Sequence, residues 1–294
     1  MKICILSSIA HEGKIKEDIS LKNKLLRFGV CDILAWEKIT KDIIGIYDIF
    51  IIRSVWGYHK QHCQFIEMLN NVKTLNKTIV NGYENIIENI SKENQFNFLK
   101  QNNIPTIPTI FVKNYESQIA LKERVKKHLK ITDDARIIAK PAISASGNDL
   151  INVKLENLDL TQFSGIINQK MQSVCVQPFI REVLIGEYSA VVVNNQLQYV
   201  VKRFPGVVSE KKEVKKISRV SSKLKERILQ VIKLLNNKNL TFYRIDFFKI
   251  QKDYYVNEIE MIDPDLFTRK IKESDASRCL ENLALTVVDK FEKR

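Results

Sequence analysis

The sequence predicts an α/β chain of more than one subdomain, and three observations predict it. Its 294 residues are 45% hydrophobic, enough to bury a substantial core and more than a single typical domain needs. Strand and helix signals alternate through roughly the first eighty residues, as a parallel sheet with crossover helices requires. Further along, strands are joined by short polar turns, which is how antiparallel hairpins read.

Taken in order, "KICILSS" is strand-like, and "KEDISLKNKLLRFGV" has helical spacing that Gly29 ends. "CDILAW" is extended and "YDIFIIRS" is a buried strand. That strand runs into "VWGYHKQHCQFIEMLNNV", where Phe65, Ile66 and Leu69 have helical spacing. Arg53, Trp56 and Tyr58 therefore stand at the C-terminal end of a strand, where open α/β sheets bind ligands. Local packing is the alternative for Trp56 and Tyr58, and His59 and His62 are expected on the surface of the early helix.

"SKENQFNFLKQNNIP" is a helix with Ser91 as N-cap, stopped before Pro105 and Pro108; "TIPTIFV" is a strand, and Gln118 to Leu129 a basic surface helix. "RIIAKPAISASGNDLINV" reads as strand, small-residue turn, strand. Ser144, Ala145, Ser146 and Gly147 in that turn let a backbone approach a ligand and offer N–H and hydroxyl donors. Lys140 just before it could cap a triphosphate, or simply precede a hairpin. After the strand "SVCVQPFI", "GEYSAVVVNNQLQYVVKRF" is a hairpin turned by Asn194 and Asn195. A charged segment, the helix "SSKLKERILQVIKLLNNKN", a second hairpin and a final helical segment over 265–294 follow. That last segment carries Leu280, Leu283, Ala284, Val287 and Val288 on one side. There is no internal repeat and no Pro/Gly-rich linker, so the domains are expected to be packed.

The second hairpin, "RIDFFKIQKDYYVNEIE", is unusual. With a three-residue loop of Gln251, Lys252 and Asp253, Asp246 faces Glu258 and Arg244 faces Glu260, all on one surface that also carries Phe248 and Val256. The other surface, with Ile245, Phe247, Tyr255 and Ile259, would be core. Like charges directly opposite repel, so something must compensate them. A hard divalent cation would do so, because Mg²⁺ takes a few carboxylate oxygens and completes its shell with water and phosphates. A wet sheet face partly neutralised by Arg244 is the alternative.

In this order the pieces resemble the ATP-grasp superfamily of carboxylate–amine ligases, most closely the glutathione-synthetase and cycloserine-biosynthesis type. The resemblance runs from "IIRSVWGYHKQHCQFIEML" through "AKPAISASG", "VQPFIREVLIGEYS" and "VVKRFPG" to "YRIDFF" and "NEIEMIDPDLF". It implies an ATP-grasp fold: an N-terminal parallel α/β (pre-ATP-grasp) domain over 1–85, a small lid subdomain over 86–176, and a large subdomain with the metal site over 177–294, the two α+β subdomains enclosing ATP. It implies that Lys92 and Lys140 reach the ATP phosphates and that the turn with Ser144, Ser146 and Gly147 closes over them. Gln177, Pro178, Phe179 and Ile180 resemble the adenine hinge, and Glu187 the acid that binds ribose hydroxyls. Arg203 resembles the arginine near the γ-phosphate; with Arg244 and Lys140 it makes the catalytic set. Asp246, Glu258 and Glu260 match the ligands of Mg²⁺ or Mn²⁺, although many relatives have Asn at the last position. Arg53 is the candidate for gripping a substrate carboxylate.

The implied reaction passes the ATP γ-phosphate to a carboxylate, giving an acyl phosphate that an amine attacks, on a small molecule or peptide. No side-chain nucleophile is needed, and His11, His59, His62 and His128 form no evident triad. Two departures lie where substrate rather than ATP should bind. Gly57 stands where related ligases often carry Asp, and the lysine run "SEKKEVKK" replaces a glycine-richer segment with a further arginine.

Composition narrows the partners. The net charge is +13, and Val201 to Arg227 holds ten Lys/Arg against three acids. A non-catalytic module that binds nucleic acid or an acidic partner through 201–227 is the competing reading; few aromatics interleave with the charges, so no stacking platform for single-stranded nucleic acid is indicated, and the set of phosphate and metal positions favours the enzyme. The early apolar run is unbroken for only about four residues, too short for a signal peptide, and no stretch is long enough to span a membrane. Five separated cysteines without CxxC spacing argue against a disulfide framework or zinc site and for the cytoplasm. A homodimer is compatible with the resemblance.

Overall fold

A computed structural model describes residues 1–113, 117–144, 150–159, 161–163, 173–204 and 213–293. The first strands, β1 (Lys2–Ser7), β2 (Val30–Ala35), β3 (Ile49–Ser54) and β4 (Thr78–Ile79), form a parallel sheet in the order β2-β1-β3-β4. Their connections carry α1 (Lys16–Leu25), α2 (Lys41–Ile46) and α3 (His62–Thr74). Strand β3 is buried at every position, because helices and neighbouring layers cover both of its faces. Helix α1 ends at Leu25, short of Gly29. Gly29 serves the next strand instead: a Cβ there would lie 2.1 Å from the carbonyl oxygen of Met1, which accepts from Val30 N–H.

Helices α4 (Tyr83–Ile90) and α5 (Lys92–Gln101) lead to an antiparallel sheet ordered β5-β8-β6-β7, formed by β5 (Ile110–Val112), β6 (Arg136–Pro141), β7 (Ile151–Lys154) and β8 (Val174–Pro178). Helix α6 (Gln118–Leu129) covers it with Leu121, Val125 and Leu129. Ser117, not Ser91, caps a helix through its side chain: Ser91 makes no cap hydrogen bond to α5.

The third sheet, ordered β11-β10-β9-β12-β13, is antiparallel and comprises β9 (Glu187–Val193), β10 (Gln196–Arg203), β11 (Val214–Lys216), β12 (Phe242–Ile250) and β13 (Asp253–Glu260). Asn194 and Asn195, at φ 48° and 57°, turn β9 into β10 as expected. Helix α7 (Ser222–Leu235) covers one face of the sheet. Helix α8 (Glu273–Glu292) lies on the other, its Leu280, Leu283, Ala284 and Val287 wedged between Val191, Val193 and Phe242 of this sheet and Ile3 and Ile5 of the first. That shared core welds the N-terminal sheet to the third sheet.

The β12–β13 hairpin corrects the expected loop while keeping its consequence. Ile250 pairs with Asp253, so the turn is only Gln251 and Lys252, but a bulge between Asp246 and Phe247 shifts the register. Beyond the bulge Asp246 faces Glu258 and Arg244 faces Glu260. Between turn and bulge the faces are exchanged on β13: Tyr254 and Val256, rather than Tyr255, join the core with Ile245 and Phe247. His59 and His62 are also corrected, being buried at 7% exposure each rather than on the surface. No helix among the described residues is long and apolar enough to cross a membrane.

Amide side chains stitch the layers at a buried edge. Asn81 accepts from Thr241 N–H (2.9 Å) and Phe242 N–H (3.2 Å) and donates to the carbonyls of Phe242 (2.7 Å) and Met261 (2.8 Å). Gln95 and Asn89 satisfy the outer edge of β13, bonding Ile259 N–H, Ile259 O and Met261 N–H. Such an edge would otherwise expose unpaired backbone groups. Asn81 also sits at φ 73°, a conformation Asn tolerates better than Ala. Asn81→Ala is therefore expected to destabilise the chain by at least about 2 kcal/mol, since it strands buried backbone groups; urea unfolding measures it, and a loss below about 0.5 kcal/mol would contradict this account.

Candidate active site

The three sheets converge on a cavity of about 610 Å³. The antiparallel second sheet and the segments beyond it supply Ile138, Lys140, Ser144, Gln177, Pro178, Phe179 and Ile180; the third supplies Glu187, Arg203, Arg244, Phe248, Asn257, Glu258 and Glu260. Trp56 enters from beyond β3, Lys92 from the first turn of α5, and Asp263, Asp265 and Phe267 from the loop after β13. The described site residues expected from the sequence thus line one cavity, with the exceptions of Asp246 and Arg53. Ser146 and Gly147 lie outside the described residues, as do Lys211 and Lys212 of the basic segment.

Asp246 lies beneath the wall, fully buried. Its Oδ1 accepts from Arg244 Nε at 2.9 Å, and its Oδ2 from Arg244 Nη2 and Arg203 Nη2 at 2.9 Å each. Burial opposes its ionisation, but Arg244 and Arg203 more than offset that and hold the carboxyl down at about 2. Arg203 also reaches Glu187 Oε2 at 2.7 Å and donates to Ser189 Oγ at 3.0 Å. Glu187 is 2% exposed, and its burial pushes the carboxyl up to about 7 despite Arg203 and a 2.7 Å hydrogen bond from Asn257 Nδ2.

Lys92 pairs with Glu258 at 3.1 Å and donates to Ser144 O at 2.7 Å. Burial opposes ionisation of Glu258, but Lys92 keeps its carboxyl below the usual range. Glu260 goes the other way, raised by burial and by Glu258; its Oε1 accepts from Ile262 N–H at 2.9 Å. Arg244 is committed to Asp246, so among the described contacts Glu260 has no arginine partner. Lys140 has no salt bridge among the described residues. In the 177–180 hinge, Phe179 N–H already donates to Arg136 O at 2.8 Å, which leaves that amide committed. Gln177 Nε2 donates to Thr109 Oγ1 at 2.9 Å.

Arg53 does not line the cavity. It is 4% exposed; its Nη2 pairs with Glu17, its Nη1 donates to Pro264 O at 2.9 Å, and its Nε lies 3.5 Å from Asp18 Oδ1. Glu17 in turn accepts from the backbone of Leu266 and Thr268. The arginine near the end of β3 thus anchors the loop that presents Asp263, Asp265 and Phe267, instead of lining the cavity. Sequence reading missed Glu17 and Asp18 because acids in a first helical turn are ordinary. Gly57 has φ 101°, so this position needs a left-handed backbone that an L side chain rarely adopts.

A divalent cation fits part of this donor set. Among the described residues no three acidic, histidine or cysteine side chains converge into a metal cage. Glu258 and Glu260 nevertheless present hard oxygen donors to the cavity, and Mg²⁺ is commonly held by one or two carboxylates plus substrate phosphates. Asp246, its oxygens held by two guanidiniums, fits only by exchanging one of them. Among the described residues of the basic segment, Arg203 lines the cavity, while Lys215 pairs with Glu213, Lys216 with Asp275, and Arg227 with Asp253.

No protein-family model and no curated protein matches the sequence. Solved structures do match the fold. D-cycloserine synthetase DcsG aligns with a TM-score of 0.80 at 12% identity, over 99% of this chain and 100% of that one. The D-alanine–D-alanine ligase of Bacillus anthracis, solved with ATP, aligns at 0.66 and 11% identity over 100% and 98%. The ATP-grasp ligase PsnB, solved with a phosphomimetic variant of its minimal precursor, Mg and ADP, aligns at 0.61 and 13% over 97% and 98%. With these likenesses extending over essentially the whole of each partner, the chain has the ATP-grasp fold.

Proposed function

We propose that the chain is an ATP- and Mg²⁺-dependent ligase that joins a carboxylate to an amine through an acyl phosphate. The observation that carries this reading is one cavity in which four cations, Lys92, Lys140, Arg203 and Arg244, stand among five carboxylates, Glu258 and Glu260 side by side on β13, and beside an apolar slot. The slot, with Ile107, Ile138, Leu150, Phe179, Val183 and Phe248, suits a purine; the cations suit a triphosphate. Relatives in fold solved with ATP, or with Mg and ADP, support the same occupants. In this reading the chain divides near 85 and 176, with the cavity between the two later subdomains. Five free cysteines suit a cytoplasmic protein.

The work of the residues follows from their charge. Lys92 and Lys140 bind the phosphates, and Lys92 must exchange its bond to Glu258 to do so. Ser144 O holds the Lys92 ammonium at the head of α5. Glu258 and Glu260 would hold Mg²⁺ or Mn²⁺, which would supply charge neutralisation at the nucleotide phosphates. Arg203 and Arg244 face the position where charge builds during transfer; Asp246 keeps both guanidiniums fixed, so they need not reorganise as the carboxylate attacks. Water exclusion falls to Phe248, Phe267 and Trp56 at the cavity wall. The acyl phosphate then meets an amine, and no protein nucleophile intervenes.

Hydroxylamine, supplied as a general amine, tests the reading across a panel of carboxylates. At least one is expected to yield hydroxamate with ADP and phosphate; no hydroxamate from any would overturn it. Chelation of divalent metal should stop ADP release, and Mg²⁺ or Mn²⁺ should restore it. Lys140→Ala is expected to lower kcat by on the order of 100-fold while melting close to the wild type, and Glu258→Gln to lower it by a similar factor while also losing some stability, because Lys92 loses its carboxylate partner. Asp246→Asn differs, because it leaves two buried guanidiniums short of a counter-charge: it should cost about 3–5 kcal/mol of folding stability as well as activity. The depressed Asp246 carboxyl stabilises the fold above the ordinary carboxylate range and loses that contribution as pH falls from about 4 toward 2. Acid titration of stability should therefore be shallower in Asp246→Asn than in the wild type.

A further inference from the structure

Strand β13 places two consecutive side chains, Asn257 and Glu258, on the cavity wall. A regular strand cannot do this, because neighbours point to opposite faces. The bulge permits it: Asp246 pairs with Glu258 and Phe247 with Val256, leaving Asn257 as the extra residue. Without the bulge Asn257 would lie on the face of Ile245 and Phe247, an apolar core that has no use for an amide. The bulge instead brings its Nδ2 to 2.7 Å from Glu187 Oε1.

Glu187 has a competitor for its attention. Arg203 Nη2 holds the other oxygen at 2.7 Å, and Arg203 and Glu187 are directly opposed across β10 and β9. A carboxylate beside a guanidinium favours a two-oxygen grip, which would draw both oxygens toward Arg203. Asn257 splits that grip: one oxygen stays on Arg203 and the other is held on the β13 side. A carboxylate has about four acceptor sites, so two remain for donors from the cavity. Only a neutral donor serves here. An acid at 257 would repel Glu187, and a cation would add a competitor for the phosphates.

We propose that Asn257 is a positioning residue for nucleotide recognition, holding Glu187 off Arg203 so that its carboxylate accepts from the ribose hydroxyls. The inference rests on the nucleotide reading above and adds to it a residue that makes the site discriminate the sugar. A nucleotide lacking both hydroxyls gains nothing from a well-aimed Glu187, so its affinity should not depend on Asn257.

Isothermal titration of the full chain with ATP and with 2′,3′-dideoxy-ATP, both with Mg²⁺, tests this. The wild type should prefer ATP by roughly tenfold or more, the scale of hydrogen bonds to a charged acceptor. Asn257→Ala should erase most of that preference by weakening ATP while leaving the dideoxy compound within about twofold, on the same scale. Asn257→Asp, nearly identical in size, provides the same readout should the alanine variant fail to fold, and should also lose the preference. A folded variant that keeps the wild-type preference overturns the proposal, and so does one that loses both nucleotides equally, which marks a merely structural role. ATP binding without sugar preference in the wild type overturns it while sparing the nucleotide reading; no ATP binding at all overturns both.

Discussion

Asp246 has no contact with solvent, and two guanidiniums share its two oxygens. A lone carboxylate could not remain ionised there, and neither arginine could be buried without a counter-charge. The surrounding wall depends on that balance. Arg203 comes from β10, Arg244 and Asp246 from β12, and Ser189 of β9 bridges them, so three neighbouring strands are tied through one buried ion triad. Glu187 is drawn in by the same Arg203 Nη2 that reaches Asp246, and Asn257 by Glu187. The result is a floor of mutually bonded charges whose cations face a cavity, the kind of preorganisation that the proposed phosphoryl transfer would need.

A second constraint acts from behind. Arg53, Glu17 and Asp18 are buried together where the parallel sheet meets the loop after β13. Their contacts with Pro264, Leu266 and Thr268 tie that loop to the N-terminal sheet, while Asn81, Asn89 and Gln95 tie the strand before it. The last wall of the cavity is therefore set by side chains that never touch it. Helix α8, packed between two sheets, removes the freedom for those layers to slide.

Much of the fold was legible in the sequence. Helix α6 runs from Gln118 to Leu129 as its pattern predicts, the Asn194–Asn195 turn is left-handed, and the buried stripe of α8 carries the expected residues. Periodicity reports burial directly, so such elements need no partner to be recognised. The opposition of Asp246 to Glu258 was legible for a less secure reason: a turn one residue shorter than expected and a bulge of one residue cancel in the register. His59 and His62 were misplaced because polarity in a helix pattern reads as surface, whereas tertiary contacts buried them.

The sequence by itself determined the chemical inventory: which strands are apolar, where the lysines precede turns, and that a hairpin holds three carboxylates and an arginine in alternation. These are local properties, settled by side-chain type and by the two- and 3.6-residue periods of the backbone. Only the tertiary structure decided how the charges pair. Arg53 looked free at a strand end until Glu17, 36 residues earlier, closed on it; Arg244 chose Asp246 over Glu260; and Asn257 turned from core to cavity through a bulge. Ion pairing depends on distance and burial, both set by elements far apart along the chain, and no spacing within one strand encodes them.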